Sequence, residues 1–193
     1  MKDLGGLKFL LGIEVYRSKL SIFLSQRKYV FDLLAKTGML DCKPMDTPIM
    51  PNHCLAEYPD QVPTNRERYH KLVGRLIYLS HTRSDITYAV SLVSQFMHNL
   101  NEVHMEATLR VLKYLKSSLG RGILFSKNDH LDIIGYTNAV WVGNLTDKKS
   151  TSGHFTFIGG NLVTWKSKKQ NVIALSSVEA EFKGMTKGLC EIL

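Results

Sequence analysis

Five lysines and a tryptophan stand close together in the last third of this 193-residue chain: Lys148, Lys149, Trp165, Lys166, Lys168 and Lys169. Basic side chains interleaved with an aromatic ring can hold a phosphate backbone and stack on bases. The same set is equally the make-up of a solvated hairpin tip, and both readings stay open. Glu181 follows in Ser176-Ser177-Val178-Glu179-Ala180-Glu181. It is either a metal-site carboxylate or a solvated acid in the first turns of a helix, where the dipole favours negative charge. Glu179 sits three residues after Ser176, the spacing of a capping box. Asn138 lies at a predicted strand end and suits a turn hydrogen bond better than a hard cation. His81, Arg83 and Asp85 fall between two predicted helices, with Ser84-Asp85 a candidate N-cap. His98 and His104 lack a partner at the spacing a helical metal site needs, so structural roles are expected. Cys42, Cys54 and Cys190 are odd in number, widely spaced and free of a C-x-x-C pair, which signals neither zinc nor a disulfide framework.

The elements that must position these residues follow from periodicity. Alternating apolar residues at Phe9–Val15 and Leu20–Leu24 predict two strands around Arg17-Ser18-Lys19. Ser25 and Gly38 bracket a helix over Gln26–Thr37. All five prolines fall between residues 40 and 63, which predicts an extended connector. Three helices are expected next, opened by a capping box at Thr64–Glu67, then over Ser84–Met97 and Glu102–Lys116. The period then shortens to two. Strands are predicted at Gly122–Ser126, Leu131–Thr137, His154–Ile158, Leu162–Trp165 and Asn171–Leu175, with Gly159-Gly160 as a hairpin turn. A helix closes the order from Ser176 to about Cys190.

Composition sets the outer limits. A hydrophobic content of 44% supports a packed core, and no apolar run reaches the roughly 18 residues of a membrane span. The N-terminus lacks a signal-peptide h-region, so an intracellular setting is the default expectation. The net charge of +8 is spread along the chain and favours polyanionic partners.

Four blocks carry a resemblance. They are LKFLLGIEV (Leu7–Val15) with LSQRKYVFDLL (Leu24–Leu34), the run Tyr69–Met97, HMEATLRVLKYL (His104–Leu115), and the run Gly135–Phe182. In this order the chain resembles copia-type retrotransposon Pol polyproteins over nearly its whole length. The resemblance implies an α+β fold in three parts. Residues 1–60 would be the end of a reverse transcriptase, with a short thumb-like segment. Residues 61–120 would be a helical connection, and residues 121–193 part of an RNase H-like mixed sheet with a helix. The paired aspartates that carry polymerase metals in the family lie upstream of the matched region, so polymerase activity is not expected.

The family's nuclease uses two Mg²⁺ ions held by carboxylates from separate elements. Where the family has Tyr-Thr-Asp-Ala-Asp-Trp, this chain has Tyr136-Thr137-Asn138-Ala139-Val140-Trp141. Asn138 replaces the bridging aspartate and Val140 the second one. Glu181 matches the helix carboxylate and would be vestigial, while the remaining family carboxylates lie beyond residue 193. Serine stands at residue 84 where the family has proline. The expectation is a degenerate retroelement fragment with no bound cofactor and no turnover. The partners expected are RNA–DNA hybrid or other nucleic acid, with no membrane. Self-association through an open sheet edge, and completion of the RNase H unit by another chain, are the alternatives.

Overall fold

The computed structural model describes residues 8–51, 53, 55–56, 62–143 and 146–192. Cys54 and Pro59 lie outside the described residues. The chain is α+β, with two antiparallel sheets and five α-helices among the described residues.

The first sheet holds β1 (Phe9–Leu10), β2 (Ile13–Arg17), β3 (Ser21–Ser25) and β4 (Gly122–Ser126), in that spatial order. The expected single strand over Phe9–Val15 is two strands. Leu11 and Gly12 both have positive φ, and this turn pairs Leu10 with Ile13. At the next turn Ser18 Oγ accepts from the Ser21 amide at 2.9 Å. β4, grouped by its position with the C-terminal part, pairs instead with β3, Ser21 opposite Ser126 and Ser25 opposite Gly122.

Helix α1 (Arg27–Lys36) has Gln26 at its N-cap position, one residue after the expected Ser25; Ser25 Oγ still accepts from the Arg27 amide at 3.3 Å. It closes as predicted around Gly38, with the Met39 amide bonded to the Leu34 carbonyl at 2.9 Å. Helix α2 (Arg66–Leu79) is capped by Asn65, whose Oδ1 accepts from the Arg68 amide at 2.8 Å. Asn65 thus displaces Thr64 as the cap, because its oxygen reaches the third helical amide. A 3₁₀ turn at Ser84–Ile86 leads into α3 (Thr87–Ser94), and α4 (Glu102–Ser117) follows. His104 completes the cap of α4 by accepting from the Asn101 amide, and it stacks on Phe96 with ring centroids 3.9 Å apart.

One core joins these helices. Val30, Leu33 and Leu34 of α1 meet Tyr69, Leu72, Val73 and Leu76 of α2, Ala89, Val90 and Val93 of α3, and Val111, Leu112 and Leu115 of α4. Their i, i+3, i+4 spacing is what turned each helix inward.

The second sheet is β5 (Ile133–Val140), β6 (Thr151–Ile158) and β7 (Asn161–Lys169). The expected mixed sheet is antiparallel throughout among the described residues. Gly159 and Gly160 both take positive φ and form the predicted two-residue turn. Helix α5 (Ser177–Ile192) packs on β5 and β6. Its buried residues are Ala180, Gly184 and Gly188, four apart, so the backbone comes close to the strands. The predicted strand at Asn171–Leu175 does not form. Gln170 is buried and donates to Ser152 Oγ and to the Ala180 carbonyl, both at 2.8 Å, which draws the chain out of β7 and into the helix entry. Asn161 joins the sheets: its side chain bonds the Ser126 amide at 2.6 Å and the Ser126 carbonyl at 2.9 Å.

Candidate functional site

Pairing in the second sheet aligns its residues in rows. Tyr136, Phe155 and Trp165 form one row, and Thr137, His154 and Lys166 the next. Alternation sends successive rows to opposite faces. On one face Tyr136, Asn138, Val140, Phe155 and Trp165 look towards α3. With Ser84, Asp85 and Tyr88 they line a cavity of about 620 Å³. On the other face α5 covers Thr137 and His154.

This arrangement divides the basic cluster. Trp165 spends its indole N–H on the Ser80 carbonyl at 2.9 Å, tying β7 to the end of α2. Lys169 is paired with Asp147 at 2.7 Å. Burial works to raise the Asp147 pKa, but the Lys169 bond and the Lys149 amide hold it below the usual value. Lys148 is exposed, with positive φ, in the loop before β6, and Lys149 beside it is half-buried. Lys166 and Lys168 lie on the α5 face, where Lys166 meets Glu191 at 2.5 Å. The six residues are therefore divided: Lys166 and Lys168 lie on the α5 side, Trp165 on the other, and Lys148 and Lys149 in the loop before β6.

Asn138 is exposed at the cavity rim, and Glu181 is half-buried on α5 and absent from the cavity lining. Among the described residues, no group of three or more His, Cys, Asp or Glu side chains could hold a metal ion. At the helix entry Glu179 accepts from the Leu175 amide at 2.7 Å, while Ser176 Oγ accepts from the Glu179 amide at 3.2 Å. The expected box is present but reaches one residue further back.

Asp85 does not cap a helix. Arg83, with a side chain only 2% exposed, grips it through Nε and Nη2 at 2.9 and 2.8 Å. The same guanidinium donates to the Ser118 carbonyl and hydroxyl, and Tyr114 donates to Asp85 at 2.7 Å. Burial pushes Asp85 up, yet the Arg83 and Tyr114 bonds outweigh it and leave the carboxyl below its ordinary range. Tyr114 is raised, first by burial and then by Asp85. The sequence hid this network because its partners lie about 30 residues apart on α4 and the turn after it.

A retroelement origin accounts for the order of these parts, and comparison with known proteins bears on it directly. The chain is 40% identical over 192 residues to the retrovirus-related Pol polyprotein from transposon RE1 of Arabidopsis thaliana, covering all of this chain and 13% of that protein. It is 37% identical over 196 residues to an uncharacterized mitochondrial protein of the same plant, of which it covers 80%. Against the Pol polyprotein from transposon TNT 1-94 of Nicotiana tabacum, identity is 36% over 199 residues, with 97% of this chain and 15% of that protein covered. The chain belongs to the copia-type retrotransposon Pol family. It spans a small part of the length of the polyproteins it matches. No family model and no solved structure matches it.

Proposed function

We propose that the second sheet and α5 form an RNase H-like unit that has lost hybrid cleavage and keeps affinity for nucleic acid. The observation that carries the reading is Asn138, a neutral amide in the place the resemblance gives to a metal-bridging aspartate. Mg²⁺ binds hard, anionic oxygens, and a pair of such ions needs several carboxylates. Val140 offers no oxygen, and Glu181 has no acidic cluster around it among the described residues. The donors present do not fit a pair of Mg²⁺ ions, so no hydrolytic step runs through this site. Affinity for a polyanion is supported by the net charge of +8 and by Lys148, Lys166 and Lys168 at the surface.

The test is direct. Purified chain incubated with an RNA–DNA hybrid in Mg²⁺ or Mn²⁺ is expected to leave the RNA intact. Cleavage that disappears in Glu181→Ala would overturn the silent-nuclease reading. Hybrid binding is expected to weaken steeply as salt rises, since lysine–phosphate contacts release counterions.

A second reading has one observation behind it. β5 is an edge strand with no charge and no proline from Ile133 to Val140. Beside it α5 exposes Val178, Phe182, Met185 and Leu189. Unprotected edges of this kind recruit a further strand. A concentration-dependent rise in mass that Phe182→Glu abolishes would favour self-association as the role.

A further inference from the structure

The α5 side of the second sheet carries a basic hollow beside β7. This hollow, a cavity of about 300 Å³, has a lining that includes His154, Lys166, Lys168, Asn171, Lys187 and Glu191. Lys166 and Lys168 come from β7, Lys187 from α5. Glu191 is paired with Lys166. Among the described residues no ion pair engages Lys168 or Lys187. The lining therefore carries two more positive charges than negative ones when His154 is neutral. Burial lowers the His154 pKa, with Glu191 pulling it up and Lys166 pulling it down, and the shift keeps the ring neutral near pH 7.

We propose that Lys166, Lys168 and Lys187 form a receptor for a phosphate group. Three ammonium groups lining one cavity from β7 and α5 concentrate positive charge where the non-bridging oxygens of a phosphate could accept from them. Lysine serves such sites as a point charge with free rotation about its donors. The Asn171 amide adds a neutral donor beside them. Packing these lysines together is unfavourable without an anion. The Lys187 pKa is depressed, first by burial and then by the charges of Lys168, Lys166 and Lys183. Lys183 is held by Glu179 at 2.6 Å, so its own charge is already countered. A bound phosphate would reverse the repulsion.

The receptor shares Lys166 and Lys168 with the nucleic-acid reading above, and it rests on that reading only for one source of the phosphate. Inorganic phosphate is titrated into the full chain by calorimetry, with an RNA–DNA hybrid and a nucleoside monophosphate as further arms. Phosphate is expected to bind saturably, and Lys187→Ala to weaken it about tenfold, as loss of one charge-assisted bond does. Lys187→Arg is expected to retain binding, and Lys36→Ala, in the last turn of α1, to leave it unchanged. The Lys187 amine should titrate at higher pH when phosphate is bound. Hybrid that displaces phosphate identifies a backbone phosphodiester as the ligand; displacement by the monophosphate alone identifies a free phosphate ester. Either result supports the receptor. No saturable phosphate binding, or equal binding by wild type, Lys168→Ala and Lys187→Ala, would overturn it. Hybrid binding that persists in that case would leave the nucleic-acid reading standing. Phosphate binding without hybrid binding would do the reverse.

Discussion

Arg83 is the residue on which most of the polar interior turns. It is buried, and its guanidinium is shared between Asp85 and both oxygens of Ser118. Breaking a buried pair strands the remaining charge, so Arg83→Ala is expected to destabilise the chain by about 3 kcal/mol. Chemical denaturation measures it, and a midpoint unchanged from wild type would show the network to be idle. The same cluster predicts acid sensitivity. Asp85 has a carboxyl pKa below its ordinary value of 3.8 in the folded state, so the unfolded chain binds that proton more tightly. Its stabilisation is present above that value and is lost as pH falls through the folded pKa. Asp85→Asn should therefore flatten the acid limb of the stability profile. Asn138 and Glu181 could be located in the sequence because each stands in a run of matching residues. His154 and Lys187 could not: they come together only where α5 packs on β6. The role of Asp85 is masked in the sequence for a related reason. A Ser-Asp pair before a helical run looks like a cap until a buried arginine claims the carboxylate.

At the level of elements, the helices were the most legible part. Tyr69, Leu72, Val73 and Leu76 repeat at helical spacing and all four are buried, so local pattern and tertiary packing agree. Strands were harder. The run Phe9–Val15 alternates convincingly, yet Leu11-Gly12 turns within it. Val172, Ile173 and Leu175 have strand-like composition and stay exposed, because buried Gln170 and the cap at Ser176 fix the path between β7 and α5. The two helical glycines of α5 separate by what lies opposite them. A Cβ at Gly184 would make ordinary contact with Ser152 at 3.5 Å, whereas one at Gly188 would come within 2.5 Å of Thr137 Cγ2. Gly184→Ala is expected to stabilise by about 0.5–1 kcal/mol through helix propensity. Gly188→Ala is expected to cost about 1–2 kcal/mol net, as overpacking does. Thermal melts of the two variants should move in opposite directions.

Across the whole molecule, stability is unevenly placed. The cluster of large buried apolar side chains belongs to α1–α4. Between the second sheet and α5 the buried residues are small or polar: Ser150, Ser152, Thr156, Gln170, Ala174 and Ala180. Large apolar residues there, such as Phe182 and Leu189, face outward. Amide hydrogen exchange is expected to show two tiers, with α2 and α4 protected at least about tenfold more than β5 and α5. Uniform protection would mean that the two parts open as one. The α+β composition was legible from the change of period near residue 120, but the partner of β4 was not, since strand pairing leaves no mark in the strand's own residues.

That pairing also sets an order of events. β3 acquires its second neighbour from a strand roughly a hundred residues further along the chain, a closure of high contact order. During synthesis the hairpin of β2 and β3 emerges early and waits with one edge bare until Ser126 has left the ribosome. The helices between them must collapse first and bring the two ends together. A nascent chain halted before residue 122 would carry its helical core beside an unfinished sheet, and that interval is when it is most exposed to pairing with a neighbour.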